Sequence, residues 1–159
     1  MKEKIDKITI WFLEQSPLTI FLLCIFIGLP LYLWLFSIIY QLDIRRNFNR
    51  NKGGILLLYF VSFYPIVYVF LFFLFAIILM FSTNPETFFF KIILPFHFLA
   101  MICTLIQMII CADSYIKFEE SKNLKSQSRF VTFILLAYFI VGVWILQPKL
   151  NEYIKVKYN

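Results

Sequence analysis

Residues 55–81 read ILLLYFVSFYPIVYVFLFFLFAIILMF. This stretch carries no charge and exceeds the roughly 20 helical residues needed to cross a hydrocarbon core of about 30 Å. It is apolar on every side. A transmembrane β-strand would alternate apolar and polar residues over about ten positions. Backbone amides in hydrocarbon need internal partners, which leaves the helix as the form this stretch can take.

Three further runs are likewise long and apolar: residues 17–40, 88–112 and 130–147, the exceptions being Lys91, one turn inside the run at 88–112, and His97. Outside these runs the longest piece spans residues 113–129, too short to bury a core of its own. Composition agrees with this reading. The chain of 159 residues is 62% apolar and 15% charged, with a mean hydropathy of +0.83. An ordinary soluble domain is about 45–50% apolar and about a quarter charged. The expected fold is all-α: a polytopic membrane protein, one domain over residues 1–159, built as a four-transmembrane-helix bundle with an N-terminal amphipathic segment.

That segment, residues 1–16, places Ile5, Ile8 and Phe12 on one helical face, with Trp11 as an interface anchor. It is expected to lie on the membrane and turn at Pro17. Pro30, near the middle of the first run, predicts a kink. Residues 82–87, with Asn84-Pro85, predict a short turn. The third helix is expected to extend beyond residue 112, and Gln147-Pro148 to end the last span. Cys24, Cys103 and Cys111 lie inside runs and read as small buried residues, with no disulfide framework.

Four spans would put both termini and the middle turn on one side. Seven Lys on that side face eight Lys and Arg on the other, which decides little under the positive-inside rule. All four Arg fall on the side of the two longer loops, which favours those loops being cytoplasmic and both termini outside. Arg45, Arg46, Arg50 and Lys52 therefore read as topology determinants, and equally as a site for anionic lipid headgroups. The basic residues flank spans and form no separate patch, so nucleic acid is not an expected partner.

Several function classes lack their signatures. There is no Gly-rich phosphate loop, zinc-protease motif or nucleophile elbow, and no internal repeat of the transporter kind. No catalytic residue is assigned, an enzyme is not expected and no cofactor is called for. In the third run Phe90, Leu94, His97, Met101, Thr104, Met108 and Cys111 recur at alternating spacings of four and three, along one helix face. His97, Met101, Met108 and Cys111 suit a soft metal or haem iron. The same residues also make an ordinary packing seam, and the seam is the favoured reading.

Three stretches carry a resemblance: residues 31–47 (LYLWLFSIIYQLDIRRN), 95–103 (PFHFLAMIC) and 142–151 (GVWILQPKLN). They resemble an uncharacterised family of small bacterial four-span integral membrane proteins. The resemblance implies a multi-pass protein of the bacterial inner membrane and supplies no catalytic residues. The expected function is a non-enzymatic membrane protein acting as a self-associating or accessory subunit. An oligomeric channel or small carrier is one alternative, and a metal- or haem-binding protein centred on His97 is the other. Expected partners are the lipid bilayer, a second copy or a partner membrane protein, and anionic lipid.

Overall fold

The computed structural model describes residues 2–80 and 89–155, and within them every element is helical. The order is α1 (Lys2–Glu14), α2 (Pro17–Ile27), α3 (Pro30–Arg45), α4 (Lys52–Met80), a π-helical turn (Phe89–Ile93), α5 (Leu94–Ser121), α6 (Arg129–Ala137) and α7 (Phe139–Lys155). The expected turn at residues 82–87 lies outside the described residues.

Among the described residues two helices are long and apolar enough to cross a membrane: α4 over Lys52–Ile77, and the π turn with α5 over Phe89–Ser121. A third candidate arises if α1 and α2, bent by 107° at their junction, count as one broken span. Four continuous spans are not what forms, because the first and last apolar runs are each divided. The first divides at Gly28, whose φ of 72° lies in the region that glycine occupies without a Cβ penalty. Its N–H closes α2 on the Cys24 carbonyl at 2.9 Å, and Pro30 then opens α3. The expected proline kink is thus a full break two residues earlier.

The last run divides at Tyr138, where ψ of 60° ends α6. The Tyr138 carbonyl then accepts from the N–H groups of Val141 and Gly142, starting α7. Gly142 is required by close approach: a Cβ there would sit on the Leu135 carbonyl, with the Leu135 carbonyl carbon only 2.6 Å away. Gly142→Ala is therefore expected to force the α6–α7 corner open at a cost of about 1–3 kcal/mol, the usual range for overpacking. Thermal unfolding of the detergent-solubilised variant would read this as a lowered midpoint, and an unchanged midpoint would contradict it.

Pro148 does not end the last helix as expected. It lies inside α7, which runs on to Lys155. Leu146, Leu150, Tyr153 and Ile154 recur at helical spacing and are all buried, so burial of that face carries the helix through the proline. The expected extension of the third helix past residue 112 is present, as α5 continues to Ser121.

α1 is a helix, and Ser16 caps the start of α2 by accepting from the Thr19 N–H at 3.1 Å. The α1 face that is buried is Thr9, Phe12 and Leu13, packed within the protein against α3 and α7, while Ile8 is 54% exposed. The main core is shared by α1, α3, α7 and the second half of α5, with Trp34, Leu35, Tyr115 and Phe118 among its largest side chains. α4 and the first half of α5 present mostly outward apolar surface. Of their most apolar windows, 22% and 28% respectively are buried inside the protein.

Candidate functional site

The polar connection between α3 and α4 holds the densest group of charges. Its centre is Asp43, in the last turn of α3, with a side chain 8% exposed. Asp43 Oδ1 accepts from Arg46 Nε at 3.1 Å and from Arg46 Nη2 at 2.8 Å. Its Oδ2 accepts from Arg50 Nε at 2.6 Å. Both cations also lie over Phe48, with the Arg46 guanidinium 4.1 Å and the Arg50 guanidinium 5.6 Å from its ring centre. Cation–π contact adds to the ion pairs here.

The backbone is shaped to permit this arrangement. Asn47 takes a φ of 55°, and the Phe48 N–H returns to the Asp43 carbonyl at 2.9 Å. Asn is among the few residues with a side chain that tolerate this region. Asn51 then accepts from the Gly54 N–H at 2.7 Å through Oδ1 and caps α4. Arg50 reaches a further element, donating from Nη2 to Ser114 Oγ on α5 at 3.0 Å.

Two cavities adjoin Arg50. One, of about 530 Å³, lies between α3 and α4. Phe36, Ile55, Leu58 and Tyr59 form its apolar wall, and Asn47, Asn49, Asp43 and Arg50 lie at its polar end. The other, of about 370 Å³, is bounded by Ile109, Ile110, Asp113, Arg129, Phe130 and Phe133 as well as Arg50. There Asp113 pairs with Lys117 at 2.6 Å and with Arg129 at 3.4 Å.

The four basic residues singled out in the sequence therefore have different placements. Arg46 and Arg50 turn inward on Asp43. Arg45 points the other way and donates from Nη2 to the Ile154 carbonyl of α7 at 3.0 Å. Lys52 stays exposed at the start of α4. One exposed lysine lies beside a closed acid–arginine cluster that retains one net positive charge.

The stripe on the third run does not converge on one point. Phe90 is 62% exposed and Met101 50% exposed, whereas Met108 and Cys111 are buried. The stripe begins outside and enters the core as α5 gains new neighbours. His97 bonds through Nδ1 to the Tyr68 hydroxyl at 3.1 Å, joining α5 to α4. Among the described residues no group of three or more His, Cys, Asp or Glu is placed to hold a metal ion.

Three of the buried polar groups join helices through partners that the sequence did not show. Gln147 bonds Trp34 and the end of α1. Gln107 donates to the Tyr32 carbonyl at 2.9 Å and to Ser62 Oγ at 3.1 Å, tying α3, α4 and α5 together. Glu119, fully buried, accepts from the Tyr153 hydroxyl at 2.7 Å. No family model, curated protein or solved structure matches the chain.

Proposed function

We propose that this is a non-enzymatic, multi-pass membrane protein that works by associating with other membrane helices, in the first instance a second copy of itself. In this reading the chain crosses a bacterial inner membrane four times, with the first and last crossings made by broken helices, and belongs with the small four-span proteins it resembles. The observation that carries the proposal is on α4. Phe60, Phe63, Val67, Phe70, Leu74 and Ile77 alternate at spacings of three and four, and each is 42–62% exposed. Such a 3.5-residue repeat of large apolar groups is the pattern that seats one helix along another with a shallow left-handed crossing. The inward face of α4 carries Ser62, Pro65 and Tyr68 instead.

Cross-linking tests this directly. Phe70→Cys is expected to form a disulfide between copies under mild oxidation in membranes, while the buried native Cys24, Cys103 and Cys111 do not. The mass in mild detergent should exceed one chain. A monomeric mass without any cross-link, in membranes where no partner co-purifies, would overturn the proposal.

A further inference from the structure

We infer that the cavity between α3 and α4 is a binding site for one anionic phospholipid, with its headgroup at Arg50 and one acyl chain along the Phe36–Tyr59 wall. The inference rests on the chain lying in a bilayer, as in the reading above, but not on self-association.

Depth is the first argument. The apolar run of α4 begins at Ile55, directly after Lys52 and two glycines. Ile55 lies in the cavity wall, so the cavity lies at the level where that helix passes from headgroups into hydrocarbon. Its volume of about 530 Å³ falls within the roughly 300–1,000 Å³ of small-molecule sites.

Polarity is the second. The wall toward the helix interior is aromatic and aliphatic: Phe36 lies 5.8 Å, ring to ring, from Tyr59, beside Leu58 and Ile55. The opposite end holds the amides of Asn47 and Asn49 and the guanidinium of Arg50. One end suits hydrocarbon and the other a hydrogen-bonding anion, which is the division an amphiphile needs.

Charge is the third. Two guanidinia against the single Asp43 carboxylate leave one positive charge in the cluster. A guanidinium has five N–H donors. Among the described residues Arg50 directs Nε at Asp43 and Nη2 at Ser114, so donors remain for a phosphate oxygen. Lys52, exposed at the start of α4 and three residues before Ile55, adds a second cation on the same connection. A phosphodiester with one negative charge complements this, whereas a zwitterionic headgroup brings its own ammonium into the same field.

The test is native mass spectrometry of the delipidated full chain in mild detergent, titrated separately with phosphatidylglycerol and phosphatidylcholine. One phosphatidylglycerol per chain is expected, bound about fivefold or more tightly than phosphatidylcholine, the factor one basic residue supplies near an anionic surface. Ile55→Trp fills the apolar wall without touching the Asp43 cluster and should reduce phosphatidylglycerol binding to the phosphatidylcholine level. Arg50→Gln should abolish the preference, and if that variant does not fold, Ile55→Trp decides alone. Equal binding of the two lipids, or no effect of Ile55→Trp, overturns the site. Displacement of the lipid by inorganic phosphate alone would also overturn it, because the anion pocket would then not need an acyl chain. The same spectra report oligomeric state, so a monomer that still selects the anionic lipid would refute self-association and leave this site standing.

Discussion

Asp43→Asn is expected to destabilise the protein by about 3–5 kcal/mol, the range seen when one partner of a buried ion pair is removed. The carboxylate is 8% exposed and Arg46 equally so, with Arg50 at 19%. Asparagine keeps the shape but removes the charge, and its NH₂ group points a donor at a guanidinium that can only donate. Two neighbouring cations would then be left without the anion they share. The connection from Arg46 to Asn51 would lose its anchor, and with it the Arg50 bond to Ser114 that ties the start of α4 to α5.

The control is an exposed cation nearby. Lys52→Gln should move the unfolding midpoint little, since isolated surface charges contribute about 0–1 kcal/mol. Added salt should not mimic Asp43→Asn, because buried pairs are screened far less than exposed ones. Replacing Asp43, Arg46 and Arg50 together with apolar residues of similar volume should recover much of the loss, since removing a whole buried cluster leaves no charge unpaired. If Asp43→Asn unfolds at the wild-type midpoint in detergent, the cluster is not what organises this connection.

The sequence made the material of the fold legible and left its joints obscure. The uninterrupted run at residues 55–81 declared a long apolar helix, and α4 is one. Continuity of hydropathy does not report backbone continuity, however. Gly28 breaks the first run because the chain turns there, and Tyr138 breaks the last because α6 and α7 meet in a corner. Hydropathy is the same on both sides of each break. Pro148 misled in the opposite direction: a residue that usually ends a helix was overruled by the buried face around it.

The candidate site was half legible. Asp43 stands out as the single acid among four cations in residues 41–54. Its partners followed only from the left-handed turn at Asn47, which folds Arg46 and Arg50 back over Phe48. The stripe on α5 was a correct period read against the wrong neighbours. A helix that leaves a two-helix contact and enters a core changes the face it buries along its length. Ile93, Ala100, Cys103 and Gln107 are buried in the first half, and nearly every position from Cys111 to Glu119 in the second.

Gln147→Leu is expected to be comparably damaging, at about 2–6 kcal/mol, because two buried groups would each lose a partner at about 1–3 kcal/mol apiece. Gln147 is fully buried on α7. Its Oε1 accepts from the Trp34 indole N–H at 2.7 Å. Its NH₂ group faces the carbonyls of Phe12, Leu13 and Gln15 at 3.2, 3.0 and 2.9 Å. Asn151 Oδ1 lies within reach at 3.4 Å as well, so two protons are shared among four acceptors, three of them at the end of α1, where carbonyls have no partner within the helix. One side chain thus closes the C-terminus of α1, satisfies the indole of α3 and does both from α7. Leucine fits the space and provides neither function. Gln147→Glu would keep the acceptor for Trp34 but set a carboxylate against the carbonyls, so it should be no better tolerated. A double-mutant cycle with Trp34→Phe should give a coupling of about 0.5–3 kcal/mol, the range for groups in one network. The loss should also be local. Amide hydrogen exchange ought to show α1 losing protection in Gln147→Leu while α4 keeps its own, since α1 is held otherwise mainly by apolar contact and the Gln41 bond to Thr9 at 2.7 Å. Uniform loss across all helices, or none, would mean that Gln147 does not serve as the joint between α1 and the rest of the bundle.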